Sequence, residues 1–67
     1  MVLVELGNII RKRRKTLRIT QPHLAEMAGI SESTLYKIEN GKANPTIKVL
    51  NQLTDILGLE LKLEIRK

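Results

Sequence analysis

The chain has 67 residues, of which 42% are hydrophobic and 28% are charged, and it contains no cysteine. This size and composition predict one folded domain and exclude a disordered chain, a disulfide framework and cysteine-based catalysis. No apolar run reaches the roughly 20 residues of a membrane span. The basic residues near the N-terminus follow the apolar ones, which is the reverse of a signal peptide, so we expect a cytoplasmic protein.

The formal net charge of +5 favours a polyanionic partner, either nucleic acid or an anionic membrane. Tyr36 is the only aromatic residue, so stacking platforms for single-stranded nucleic acid are missing. A membrane-bound amphipathic helix would carry bulky aromatic residues on its apolar side, and these are missing too. Double-stranded DNA is therefore the expected partner, and no membrane association is expected.

Residues 4–17 predict a first helix, because Leu6, Ile10 and Leu17 recur on one face at the helical period. Arg14 falls on the same side, where an unpaired charge would be costly. Half of the 12 basic residues lie in a run in this helix and just after it: Arg11, Lys12, Arg13, Arg14, Lys15 and Arg18. Such a run forms either a solvated face or a set of contacts to phosphates.

A second helix is predicted over residues 20–28. Thr20 is a suitable N-cap, and Pro22 fits the first turn, where a missing N–H costs little. Leu24 and Ala28 are four residues apart and face inward. The lone histidine of the chain, His23, has no second histidine or cysteine beside it, so we expect no metal and no cofactor. It is either a surface residue or a neighbour of a phosphate.

The segment 29–41 predicts a turn followed by a third helix, and this segment organises the rest of the chain. Ser31 is the expected N-cap, because its hydroxyl can accept from a backbone N–H of the next turn. Leu35 and Ile38 share an apolar face, being three residues apart. The opposite face is polar, with Ser33, Lys37 and Asn40 in front and Tyr36 on the flank. Such a helix can pack on a core and lie on DNA at the same time.

A fourth helix is predicted over residues 46–57, beginning after Pro45 and ending at Gly58. Its core stripe is expected to consist of Ile47, Leu50, Leu53 and Leu57. Val49 and Ile56 lie off this stripe and are either scattered surface residues or a second face for another subunit.

The period then changes to two, which predicts a β-strand over residues 59–65. A lone apolar strand has unpaired backbone groups, so we expect it to pair with the same strand of a second subunit. Four side chains would form the dimer contact: Leu59, Leu61, Leu63 and Ile65. Residues 1–58 are accordingly predicted to form the DNA-binding domain, and residues 59–67 the dimerisation strand and tail.

The spacing TQ-x-x-LA over residues 20–25, followed by AGIS, TL and IENGK up to Lys42, resembles the helix-turn-helix of the lambda-repressor/Cro-like family. The resemblance extends from Leu6 to Gly58. It implies a mainly α fold, a small bundle of about four helices containing the helix-turn-helix, to which the predicted C-terminal strand is added. That strand is similar to the one in HipB-like antitoxins. The family usually has glycine or asparagine where this chain has Arg18, which puts the turn conformation there in question.

The resemblance and the polar face of the third helix together predict roles for individual residues. Arg14 is expected to pair with Glu39 in the interior. Lys37 and Ser33 are expected to reach base edges, and Lys37 suits guanine O6 and N7. Glu32 either accepts from a cytosine amino group or only complements the helix dipole, and Thr34 touches a thymine methyl or a phosphate. The predicted phosphate contacts are Arg11, Gln21, Tyr36, Asn40 and Lys42.

These observations predict a sequence-specific transcriptional repressor that binds a palindromic operator as a homodimer. The alternative is the antitoxin of a HipBA-like pair, which would bind a HipA-like toxin kinase and repress its own operon. An enzyme is not expected, because the chain shows no pairing of a nucleophile with a base.

Overall fold

The computed structural model describes residues 2–65, and these residues form four α-helices. The helices are α1 (Val2–Thr16), α2 (Gln21–Ala28), α3 (Glu32–Glu39) and α4 (Ile47–Leu57). The predicted limits of the domain and tail also include three residues outside the described part of the chain: Met1, Arg66 and Lys67. The four helices agree with the sequence prediction to within two residues at each end.

Each of the last three helices begins at a side-chain cap. The hydroxyl of the N-cap residue accepts a hydrogen bond from the backbone N–H three residues later, which satisfies a donor that has no partner inside the helix. The donor and acceptor pairs are His23 to Thr20, Thr34 to Ser31 and Val49 to Thr46. Two helices, α2 and α4, end at a glycine with a φ of 69°. Local chemistry therefore places most of the helix boundaries.

The core lies where the apolar faces of all four helices meet. Leu24, Leu35, Leu53 and Leu57 are fully buried, and Ile10 and Ile38 are almost fully buried. Ala25, Ala28 and Leu50 complete the buried cluster. The packing of α3 against both α1 and α2 holds its inner face in the core and leaves its outer face exposed.

The approach of α1 to α3 depends on Gly7. A Cβ atom placed there would lie against the carbonyl oxygen of Ile38 and 2.7 Å from the carbonyl oxygen of Glu39. Because those atoms belong to the backbone, they cannot turn aside as a flexible side chain could. Only glycine permits this distance between the two helices.

Two predicted core residues are exposed. Leu17, with 40% of its surface accessible, lies beyond the last residue of α1, where the turn carries its side chain away from the apolar face. Ile47, with 65% accessible, is the first residue of α4 and precedes the part of the helix that packs on the core. Val49 and Ile56 are half-buried and pack against the core cluster.

The predicted C-terminal strand is wrong for this chain. Residues 59–65 have no regular secondary structure, and no strand occurs anywhere in residues 2–65. A strand needs a partner for its backbone hydrogen bonds, and the one other strand-like stretch, at the N-terminus, belongs to α1 from Val2 onward. Leu59 packs against the core, whereas Leu63 and Ile65 are fully exposed.

A buried ion pair joins α1 to α3. Arg14 donates from Nε to Glu39 Oε2 at 2.7 Å and from Nη2 to Glu39 Oε1 at 3.0 Å, a two-pronged geometry that suits the planar guanidinium. Arg14 also donates from Nη1 to the carbonyl oxygen of Ile19 at 2.9 Å. Gln21, at the start of α2, donates from Nε2 to Glu39 Oε1 at 3.0 Å. One carboxylate therefore connects α1, α2 and α3.

Arg18 adopts a left-handed conformation with a φ of 59°, and it is the one non-glycine residue of the described chain to do so. Its N–H donates to the carbonyl of Lys15, and the N–H of Ile19 donates to the carbonyl of Arg14. This pair of bonds is the Schellman arrangement, which closes a helix with a left-handed residue. The arginine is compatible with the turn, but its Cβ strains it.

We expect Glu39→Ala to lower the free energy of unfolding by about 3–5 kcal/mol, because Arg14 would remain buried without its counter-charge. Urea denaturation followed by circular dichroism measures this change. The control is Glu60→Ala, which removes a carboxylate from an exposed pair with Lys62 at 3.5 Å and should cost at most about 1 kcal/mol. Equal effects of the two substitutions would contradict a stabilising role for the buried pair.

We expect Arg18→Gly to raise the free energy of unfolding by up to about 1 kcal/mol, since glycine has no Cβ to strain the left-handed turn. Arg18→Ala removes the same charge but keeps a Cβ, so it separates the backbone effect from the electrostatic effect. Thermal denaturation of the three proteins should rank glycine above both arginine and alanine. If the glycine variant had the same melting temperature as the alanine variant, the turn would not be strained.

Candidate nucleic-acid interface

A three-residue connection sets the angle between α2 and α3. Gly29 takes the left-handed conformation, and its N–H donates to the carbonyl of Glu26 at 3.2 Å. The N–H of Ile30 donates to the carbonyl of Ala25 at 3.0 Å, and the Ile30 side chain packs on the core. Ser31 then caps α3. Because both ends of the connection are fixed by hydrogen bonds, the two helices have a defined relative orientation.

The eight residues of α3 divide into two faces. Leu35, Ile38 and Glu39 are buried, and they hold the helix against α1 and α2. The remaining residues of the helix, all exposed, are Glu32, Ser33, Thr34, Tyr36 and Lys37. The outer face of α3 is therefore a polar surface fixed on a rigid apolar base.

Hydrogen bonds within the protein already occupy some of these side chains. Thr34 Oγ1 accepts from Ser31 Oγ at 2.8 Å, and Asn40 donates from Nδ2 to the carbonyl of Tyr36 at 2.8 Å. Thr34 thus stabilises the N-terminal end of α3, and Asn40 stabilises its C-terminal end. Asn40 keeps its amide oxygen and its second amide hydrogen for another partner.

Gln21 lies where α2 begins, beside the ion pair. The first N–H groups of a helix have no acceptor inside it. Of those in α2, Pro22 has no N–H and that of His23 is bonded to Thr20. The backbone N–H of Gln21 and one of its amide N–H groups are therefore donors that this end of α2 can offer to a ligand.

The basic residues of α1 serve different purposes. Arg13 donates from Nε to the carbonyl oxygen of Leu57 at 2.7 Å and so closes the end of α4. Arg11 donates from Nη2 to the amide oxygen of Asn8 at 2.6 Å, which holds its guanidinium near the surface. Lys12, Lys15 and Arg18 are exposed. The sequence contains no signal for the role of Arg13, because its partner lies 44 residues away.

The connection after α3 brings a further charge to this side of the molecule. The N–H of Lys42 donates to the carbonyl of Lys37 at 2.8 Å, and Gly41 has a φ of 69°. The Lys42 side chain is exposed. The backbone hydrogen bond between Lys42 and Lys37 therefore brings a second lysine next to the end of α3.

The residues predicted to form a dimer contact lie elsewhere. Leu59 and Leu61 line an open groove against α1, together with Leu6 and Ile9. This groove is apolar, and its volume is about 280 Å³. It lies between α1 and the segment after α4, so it is separate from the exposed face of α3.

Other kinds of site are not apparent in residues 2–65. No group of three or more histidine, cysteine, aspartate or glutamate side chains in this part of the chain could hold a metal ion. No helix within these residues is both long and apolar enough to span a membrane. The polar face of α3, with Gln21 and Lys42 beside it, is the feature that the fold presents most clearly.

Comparison with a solved structure shows the same fold. The restriction-modification controller protein C.AhdI from Aeromonas hydrophila superposes with a TM-score of 0.82 and 28% sequence identity. The superposition covers 87% of this chain and 88% of that one.

The chain also resembles regulators from archaea and a phage. It is 35% identical over 55 residues to an uncharacterized HTH-type transcriptional regulator of Methanothermobacter thermautotrophicus, covering 82% of this chain and 80% of the relative. It is 36% identical over 56 residues to the immunity repressor protein of Bacillus phage phi105, covering 84% and 39%.

Several curated relatives are much longer than the matched region. The chain spans 17% of the length of HTH-type regulatory proteins of Methanococcus maripaludis, to which it is 34% identical over 55 residues. The helix-turn-helix family matches residues 10–63, which include α2, α3 and α4 in full. The chain therefore belongs to the lambda-repressor/Cro-like helix-turn-helix family of transcriptional regulators.

Proposed function

We propose that this protein is a sequence-specific transcriptional repressor that places α3 in the major groove of duplex DNA. The observation that carries the proposal is the exposed polar face of α3 on its buried apolar base. The major groove is wide enough to admit an α-helix, and each base pair presents a distinct pattern of donors and acceptors there. The similarity to a phage immunity repressor supports repression as the outcome of binding.

Base recognition is assigned to four exposed residues of α3: Glu32, Ser33, Thr34 and Lys37. Within residues 2–65, Lys37 and Ser33 are not held by side-chain hydrogen bonds, so their donors are available to base edges. Lys37 would donate to guanine O6 and N7. Glu32 lies in the first turn, where its charge also complements the helix dipole.

Contacts to the DNA backbone are assigned to residues around that face. Gln21 offers its backbone N–H and a side-chain N–H, while Arg11 and Lys42 offer positive charge. Tyr36, with 53% of its surface exposed, and Asn40 can donate from a hydroxyl and an amide. Such contacts fix the orientation of a protein on the duplex and make its affinity depend on salt.

A homodimer on a palindromic operator is part of the proposal. The exposed apolar residues Ile9, Leu61, Leu63 and Ile65 lie on α1 and on the segment after α4. Clusters of exposed apolar side chains mark contacts between proteins. We propose that a second copy covers them, and such a dimer reads two half-sites if its α3 helices lie about 34 Å apart, one turn of DNA.

The antitoxin alternative has less support. It depended on the C-terminal strand, and residues 59–65 are not a strand. A HipA-like partner kinase stays a prediction from sequence resemblance. Base reading by α3 does not involve residues 59–65, so the loss of the strand leaves that part of the proposal unchanged.

Selection of bound fragments from a random duplex library tests the proposed function. We expect enrichment of an inverted repeat whose half-sites are about 10 base pairs apart, as two recognition helices require. Enrichment of a single half-site would contradict the dimer but not DNA reading. Recovery of unselected sequence would contradict sequence-specific binding.

We expect Lys37→Ala to weaken binding to the selected sequence by about 1–3 kcal/mol and to relax one base position in each half-site. Competition binding against all four bases at each position measures both effects. Lys62→Ala, which removes the same charge from the segment after α4, is the control and should leave the base preference unchanged. An equal loss on selected and random DNA would show that Lys37 does not read bases.

We expect Arg11→Ala to weaken binding to selected and random duplexes alike, and to reduce the slope of log K against log salt by about one. Titrations at several salt concentrations measure that slope. Asn8→Ala is the companion variant, because it removes the hydrogen bond that holds Arg11 but keeps the charge. An unchanged slope for Arg11→Ala would place Arg11 away from the phosphates.

A further inference from the structure

The buried carboxylate of Glu39 touches a residue that the proposed function places on the DNA. It has 1% of its surface exposed, and it lies between Arg14 and Gln21. Two donors converge on Oε1: Arg14 Nη2 and Gln21 Nε2, each at 3.0 Å. The ion pair itself is complete without Gln21, because Arg14 also reaches Oε2. The bond to Gln21 therefore adds something other than neutralisation of charge.

The hydrogen-bonding capacity of Gln21 shows what that bond does. A side-chain amide has two N–H donors and one carbonyl oxygen, and it can turn over by rotation about its last torsion. A carboxylate accepts only, so Glu39 admits the nitrogen and not the oxygen of the amide. Because one N–H is held inward by Glu39, the amide cannot rotate freely. Its second N–H is therefore available to an external acceptor in a fixed orientation.

We infer that Glu39 is a positioning residue for DNA binding: its carboxylate orients the Gln21 amide so that the remaining N–H can donate to a backbone phosphate. Arg14 contributes by fixing Glu39 with two hydrogen bonds. This inference rests on the proposed function, because it assumes that Gln21 faces DNA. It gives the buried ion pair a role in affinity that is separate from its role in stability.

A pre-oriented donor binds more tightly than a free one, because less side-chain freedom is lost on binding. The oriented amide also carries no net charge, so its loss should lower affinity without changing the salt dependence. That behaviour distinguishes Gln21 from Arg11 and Lys42. It also means that a duplex of random sequence is a sufficient probe, since phosphate contacts do not depend on base sequence.

The experiment is a double-mutant cycle with Gln21→Met and Glu39→Asp, each measured for affinity to a random-sequence 20-mer duplex and for thermal stability. Methionine keeps the length and removes the amide. Aspartate keeps the charge opposite Arg14 and withdraws the carboxylate by one methylene. We expect Gln21→Met to lose about tenfold in affinity, as for a hydrogen bond to a charged group. Glu39→Asp should lose less, because the freed amide can still donate to a phosphate, and both variants should keep the salt slope unchanged.

The double variant should lose no more affinity than Gln21→Met alone, because without the amide Glu39 has nothing to orient. Losses that multiply would show that Gln21 binds phosphate without help from Glu39, and would overturn the inference. A Glu39→Asp variant that melts earlier but binds normally when folded would also overturn it, leaving a purely structural role. If the parent protein bound neither random nor selected duplexes, the proposed function itself would fail.

Nuclear magnetic resonance of the unmodified protein provides a test that does not depend on the folding of any variant. Before DNA is added, the amide proton of Gln21 that is bonded to Glu39 should exchange with solvent more slowly than the other amide proton. On addition of the duplex, we expect the proton bonded to Glu39 to stay and the other to shift. Loss of the bond to Glu39 in the complex, or no shift of either proton, would refute the positioning role.

Discussion

The fold depends on a charge pair that is buried between two helices. Arg14 and Glu39 are 8% and 1% exposed, and two hydrogen bonds join them. Placing either charge in the interior alone would be unfavourable, so each fixes the position of the other. The bidentate geometry restricts both the separation and the rotation of α1 relative to α3. Apolar packing alone, which has no preferred direction, would restrict them less.

The same pair connects stability to the proposed DNA-binding face. Glu39 is the last residue of α3, and the residue it holds, Gln21, is the first residue of α2. The helix that is proposed to read bases and the helix end that is proposed to contact phosphate therefore meet at one carboxylate. Gly7 allows α1 to come close enough for this, because any Cβ would contact the backbone of α3. A small domain with a limited core gains a rigid binding face from these few specific contacts.

The apolar segment after α4 has a different relation to the fold. Leu59 packs on the core, but Leu63 and Ile65 lie in solvent. Their alternation with charged residues is typical of a strand, and the sequence prediction followed that pattern. The pattern describes which side chains would share a face, but a strand forms only where a second strand supplies hydrogen bonds. In residues 2–65 the only segment that could have paired is helical.

The sequence by itself determined the helices and their boundaries, because caps and periodicity act over three or four residues. The hydroxyl groups of the N-caps accept hydrogen bonds from the backbone N–H three residues later in the chain. These N-caps are Thr20, Ser31 and Thr46. The division of α3 into an apolar and a polar face also follows from sequence, since side-chain direction repeats with the helical period. The left-handed Arg18 could be suspected, because a glycine or asparagine is usual at that place.

Only the tertiary structure decided the contacts between residues that are distant in sequence. Arg13 closes the end of α4 through Leu57, 44 residues away, and no local pattern distinguishes it from its basic neighbours. The bond between Gln21 and Glu39 depends on how α2 and α3 cross. Ile47 and Leu17 have the apolar period but are exposed, because burial is set by where the neighbouring helices begin and end. Periodicity specifies the direction in which a side chain points, and packing specifies what it meets there.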